Sequence, residues 1–190
     1  ARHAESVTSC RRPTALQHPR ALGLGLQARL HGGLGQGGTE GCGGGEGGAG
    51  DDRIAGGSGI DTASYADAGA GVAVNLGMTG AQNTLAAGTD TLSAIENVIG
   101  SRFADKLVGS GANNVIDGGA GADVMTGGLG NDTFLVDNAG DAVRESASGG
   151  TDLVVATLSW TLAGNIENLT LTGSASINGT GNALANVITG

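Results

Sequence analysis

Gly118-Gly-Ala-Gly-Ala-Asp123-Val-Met125-Thr126 runs without a break into Gly127-Gly-Leu-Gly-Asn-Asp132-Thr-Phe134-Leu135. Each stretch is a glycine-rich half ending in aspartate, followed by three residues with an apolar centre. The pattern extends to both sides. Upstream lie Gly100-Ser-Arg-Phe-Ala-Asp105-Lys-Leu107-Val108 and Gly109-Ser-Gly-Ala-Asn-Asn114-Val-Ile116-Asp117; downstream, the glycine-poor unit from Val136 to Arg144 keeps Asp141 and Val143 in register. An earlier pair, Gly47 to Ala55 and Gly56 to Ser64, puts Asp52 and Asp61 at the same sixth position. A fixed short period of this kind marks a stacked repeat architecture rather than a domain closed around one core.

The two halves of the nonad point to the same fold. Glycines at positions one, two and four allow left-handed or crowded backbone, so the first six residues can form a tight turn with carbonyls directed inward. A three-residue strand puts its central side chain on one face, which assigns Leu107, Ile116, Met125, Phe134 and Val143 to the core. Two nonads make one coil of 18 residues, and successive coils stack at about 4.8 Å through parallel ladders. The expected fold is all-β, a parallel β-roll or β-solenoid.

Stacking brings like charges together. Asp105, Asp123 and Asp141 fall on one edge and Asn114 with Asp132 on the other. Two carboxylates about 5 Å apart at an effective dielectric of about 20 repel by roughly 3 kcal/mol, and one buried apolar side chain per nonad does not offset the ordering entropy of its residues. A cation is needed to hold the coils. Carboxylates and backbone carbonyls are hard oxygen donors, and calcium accepts six to eight of them in flexible geometry, whereas magnesium demands a tight octahedron.

Composition agrees. Glycine supplies 39 of 190 residues and Phe, Tyr and Trp together only four, too few for a thick core. The chain also divides in charge near residue 46: five Arg against three Glu before it, fifteen acidic residues against four basic ones after it. The acidic part repels nucleic acid and anionic membranes and favours cations; no apolar run is long enough to span a bilayer. Residues 1–46 show no periodicity and are read as unassigned and disordered, with a flexible glycine run from Gly32 to Gly45. Cys10 and Cys42 have no metal-like spacing, and the apolar stretch Ala21 to Leu30 is too interrupted for an export signal.

The described pattern divides the remainder into calcium-binding repeats over 47–144, with a strand-rich insert at about 65–99, and a strand-rich connector over 145–190 leading into a further array. Val154 to Leu162 alternates apolar and polar residues as a strand with one buried face does, and Gly71 to Leu76 and Asn165 to Thr172 read similarly. A longer period repeats Ile95-Glu-Asn-Val as Ile166-Glu-Asn-Leu, which is read as a strand edge rather than a site. No His-Glu-x-x-His, Gly-x-Ser-x-Gly or phosphate-loop sequence occurs, so no catalytic constellation can be assembled.

The nonads resemble the glycine- and aspartate-rich repeats of the RTX, or hemolysin-type calcium-binding, family, from about Gly47 to Gly190 and most strongly from Gly100 to Leu135. The resemblance implies a calcium-binding β-roll on a secreted, extracellular protein, exported by type I secretion machinery with an uncleaved C-terminal signal beyond Gly190. Carried over by position, it implies carboxylate ligands at Asp123 and Asp132, at Asp105 and Asp141, and at Asp52 and Asp61, with carbonyls from Gly119, Gly121, Gly128 and Gly130. Asn114 and Asn186 keep an oxygen at that position but lose the charge. Three functions are compatible: a module that folds on binding calcium outside the cell, an accessory part of a secreted enzyme of protease or alginate epimerase type, or a structural adhesin array.

Overall fold

The computed structural model describes residues 45–190, so the unassigned segment lies, up to residue 44, outside the described residues. These contain strands and no helix. The architecture is a parallel β-solenoid. One face is a single sheet of eight strands, in the order Gly45–Glu46, Thr62–Ser64, Asn97–Ile99, Val115–Asp117, Thr133–Val136, Leu153–Ala156, Asn168–Leu171 and Val187–Thr189. The other face comes in pieces, the longest being Ala73–Asn75, Lys106–Val108, Val124–Thr126 and Ala142–Arg144.

Register confirms the coil. Val124 pairs with Lys106 and with Ala142, and Val115 with Asn97 and with Thr133, so one coil advances by 18 residues. Strand centres are buried along the column, in chain order Ile54, Ala63, Val74, Val98, Leu107, Ile116, Met125, Phe134, Val143, Val154 and Leu169, whereas Ile188 at the centre of the last strand is exposed. Phe103, in the turn half of its nonad, is exposed and stacks under the Arg102 guanidinium at 5.3 Å. The core is therefore a column one side chain wide per strand.

Coil length changes where the nonad pattern lapses. Thr62 pairs with Asn97, 35 residues on, because an antiparallel hairpin of Gln82–Leu85 and Gly88–Ser93 is built into that coil. Its second strand also pairs in parallel with Arg53–Ala55. Beyond the regular array the steps are 20, 15 and 19 residues.

Two expectations are corrected. Val154 to Leu162 is not one strand: Leu153–Ala156 lies in the long sheet, the chain bends at 157–158, and Trp160–Thr161 pairs with Gly179–Thr180. Alternation there reflects a coil corner, and Val155 is buried beside Val154. Nor do all three glycines of a nonad serve the backbone. Gly119, Gly121, Gly128 and Gly130 have φ values of +75°, +140°, +121° and +100°, but Gly118 and Gly127 at position one do not have positive φ. A Cβ on Gly118 would run into Asp123 Oδ2, and one on Gly127 into Asp132 Oδ2. Position one is glycine to leave room for the aspartate.

Candidate metal centre

The sixth positions form ladders of a specific kind. Along one edge Val72 N donates to Asp105 Oδ1 at 2.7 Å, Asp105 N to Asp123 Oδ1 at 2.8 Å, and Asp123 N to Asp141 Oδ1 at 3.0 Å. Along the other, Asn114 N donates to Asp132 Oδ1 at 2.7 Å, Asp132 N to Asp152 Oδ1 at 2.8 Å, and Asp152 N to Glu167 Oε2 at 2.9 Å. Asp61 N donates to Glu96 Oε2 at 2.9 Å on that same edge. Each rung ties one turn to the next with one carboxylate oxygen, and the rung repeats because the turns stack in register.

The second oxygen separates the rungs into two classes. Asp105 Oδ2 accepts from Ser101 N at 2.5 Å, while Ser101 Oγ donates to Oδ1 at 2.9 Å. Asp141 Oδ2 accepts from Asp137 N and Asn138 N at 3.3 and 3.1 Å. These carboxylates are satisfied by their own turns. By contrast, Oδ2 of Asp123, Asp132 and Asp152 is buried with no hydrogen-bond partner. A buried carboxylate oxygen left without a donor is costly unless a cation or a proton supplies one.

Proton affinities report the same strain. Burial pushes the Asp123 carboxyl up to about 7, with Asp105 and Asp141 adding repulsion, against a lowering by the hydrogen bond from the Asp105 backbone. Burial likewise raises Asp132 to about 6, with Glu145 and Asp152 adding to it. Asp152 is raised for the same reasons, its acidic neighbours being Glu145 and Glu167. These groups resist ionising alone, and a nearby positive charge would favour their ionised forms.

The family model for the RTX calcium-binding nonapeptide repeat matches residues 46–63 and 99–134, in four copies. These two stretches carry RTX calcium-binding nonapeptide repeats. No curated protein matches it. The donor set fits calcium: all oxygen, anionic, convergent between RTX turns, and partly unpaired.

The other candidate positions fall differently. Asn114 and Asn186 link coils through their side-chain amides. Asn114 Nδ2 donates to the Glu96 carbonyl at 2.6 Å and Asn186 Nδ2 to those of Ile166 and Glu167 at 2.9 and 3.1 Å. Asp52 sits on a separate rung: its N donates to Asp90 Oδ1 at 2.9 Å, and its Oδ2 is buried without a partner. Burial raises the Asp52 carboxyl, with Asp90 and Asp51 contributing. On that rung Asp90 Oδ2 is satisfied by Tyr65 Oη and Thr84 Oγ1, at 3.0 and 2.8 Å.

Counting in nines missed Glu96, Asp152 and Glu167. All three stand two residues before a buried apolar side chain, Val98, Val154 and Leu169, which is the RTX relation between positions six and eight. The repeated Ile-Glu-Asn is thus a rung with a longer arm, not merely a strand edge. The relation was legible; the period was not, because these coils differ in length.

Proposed function

We propose that this solenoid is a calcium-responsive folding module of a secreted protein, folding outside the cell. The buried, unpartnered oxygens of Asp123, Asp132 and Asp152 are the observation that supports it. Asp123 and Asp132 would supply carboxylate ligands, with carbonyls of Gly119, Gly121, Gly128 and Gly130 from the same turns. Asp52 and Asp61 would be further ligands; Asp105 and Asp141 would act mainly as rungs, and Asn114 as a neutral link.

Bound calcium would supply positive charge and several coordination positions at once. The chain's part is to hold the carboxylates in register. Position-one glycines leave space beside them, strand-centre side chains align the coils, and the Oδ1 rungs fix the orientation of each carboxylate. Without added charge, the stacked acids oppose the same register. Extracellular calcium modules bind in the range of about 0.1 to 1 mM, so the chain would remain unfolded at low cytosolic calcium, which suits passage through a type I export channel. Circular dichroism tests the switch: a coil spectrum in chelator should gain β signal on adding calcium but not equal magnesium, and an unchanged spectrum would refute it.

A further inference from the structure

Glu145 stands where the repeat has glycine. It opens the turn that leads into Leu153–Ala156, and that turn stacks on the last matched RTX turn, 127–132. Ser146 Oγ donates to the Gly128 carbonyl at 3.1 Å, Thr151 N to Asn131 Oδ1 at 2.8 Å, and Asp132 N to Asp152 Oδ1 at 2.8 Å. The Glu145 side chain is held by one oxygen, with Oε1 accepting from Ser146 N at 2.7 Å and Gly128 N at 3.2 Å.

Its other oxygen turns to the aspartates. Asp132, Glu145 and Asp152 each place a carboxylate oxygen within 4.8 Å of the other two. Asp132 and Asp152 are 1 % and 0 % exposed, and Asp132 Oδ2, Glu145 Oε2 and Asp152 Oδ2 are all buried without a partner. A Cβ on Gly127 would meet both Glu145 Oε2 and Asp132 Oδ2, so these two oxygens crowd one spot. Carboxylate oxygens within 4.8 Å of one another can share one cation, and calcium takes carboxylate oxygens in flexible geometry, whereas magnesium demands a near-ideal octahedron. Glu145 and Asp152 lie outside the matched repeats, which end at residue 134.

We propose that Asp132, Glu145 and Asp152 form a cation site of their own, taking one calcium ion through three side-chain carboxylates and locking turn 145–152 onto the last RTX turn. The inference rests on the calcium reading above and deepens it. Three carboxylates in one site exceed what two stacked aspartates offer, and ligand charge count tunes calcium affinity. This site fills first, at the lowest calcium concentration.

Isothermal titration calorimetry of the full chain with calcium chloride, read beside circular dichroism, tests it. Glu145→Gln keeps the acceptor for Ser146 N and Gly128 N but removes the charge, so a purely structural Glu145 would tolerate it. The expected result is loss of the tightest phase, about one ion fewer per chain or affinity at least about tenfold weaker, while later calcium still induces β signal. Asp67→Asn, away from every rung, leaves the tight phase intact. Unchanged tight binding in Glu145→Gln overturns the site and leaves the calcium module standing; a wild-type chain that binds no calcium overturns both. If Glu145→Gln does not fold, Glu145→Gly, which restores the repeat's own residue, decides: loss of the tight ion supports the site and its retention refutes it.

Discussion

Asp105 N–H donates to Asp123 Oδ1 at 2.8 Å, which leaves Asp123 Oδ2 buried and without a partner. One carboxylate thus ties two coils together and still presents an oxygen for a cation. Asp123→Ala removes both functions and should raise the calcium concentration at the folding midpoint severalfold, because the lost stabilisation must be made up by mass action. Asp67→Ala, outside any rung, should leave the midpoint in place. Calcium titrations followed by β signal compare the two, and equal midpoints would contradict the ladder.

Gly127 and Gly111 separate glycine for space from glycine by composition. A side chain at Gly127 meets Glu145 and Asp132, with Phe134 Cζ at 2.9 Å, whereas Gly111 has nothing within 4 Å and no positive φ. Gly127→Ala should destabilise the calcium-loaded fold by about 1 to 3 kcal/mol. Gly111→Ala should stay within about 0.5 kcal/mol of wild type. Urea unfolding at saturating calcium measures both; a neutral Gly127→Ala would mean that the carboxylates do not crowd position one.

Acid should substitute in part for calcium. The carboxyls of Asp123 and Asp132 rise to about 7 and about 6 in the metal-free fold, chiefly through burial, against about 3.9 in an unfolded chain. A folded-state value above the unfolded one means that the fold takes up protons, so its contribution is fully present below about pH 4 and is lost as pH rises through 6 to 7. In chelator, β signal should therefore be greater at pH 5 than at pH 8. The reverse order would show that these groups are not buried in the metal-free state.

Whatever depends on period is legible in the residues alone. Asp105, Asp123 and Asp141 share an edge, and Leu107, Met125 and Val143 share a core column, because equal nonads stacked in parallel must superpose like positions. The turn glycines and the resemblance to the RTX repeat followed from the same repetition.

Whatever depends on unequal coils emerges once the chain has folded. Glu96, Asp152 and Glu167 become rungs across steps of 35, 20 and 15 residues, distances at which no period carries the register. Folding also decides which oxygens remain open. Ser101 closes Asp105, and Asp137 and Asn138 close Asp141, while Asp123 and Asp132, with the same residue at the same position, each keep an Oδ2 without a partner. Glu145 shows the difference most plainly: in the sequence it is a glycine position lost, and in the fold its carboxylate meets Asp132 and Asp152. Hydrogen-bond satisfaction is a property of every donor that reaches an atom in space, and those donors come from turns whose stacking is set only once the coils have closed.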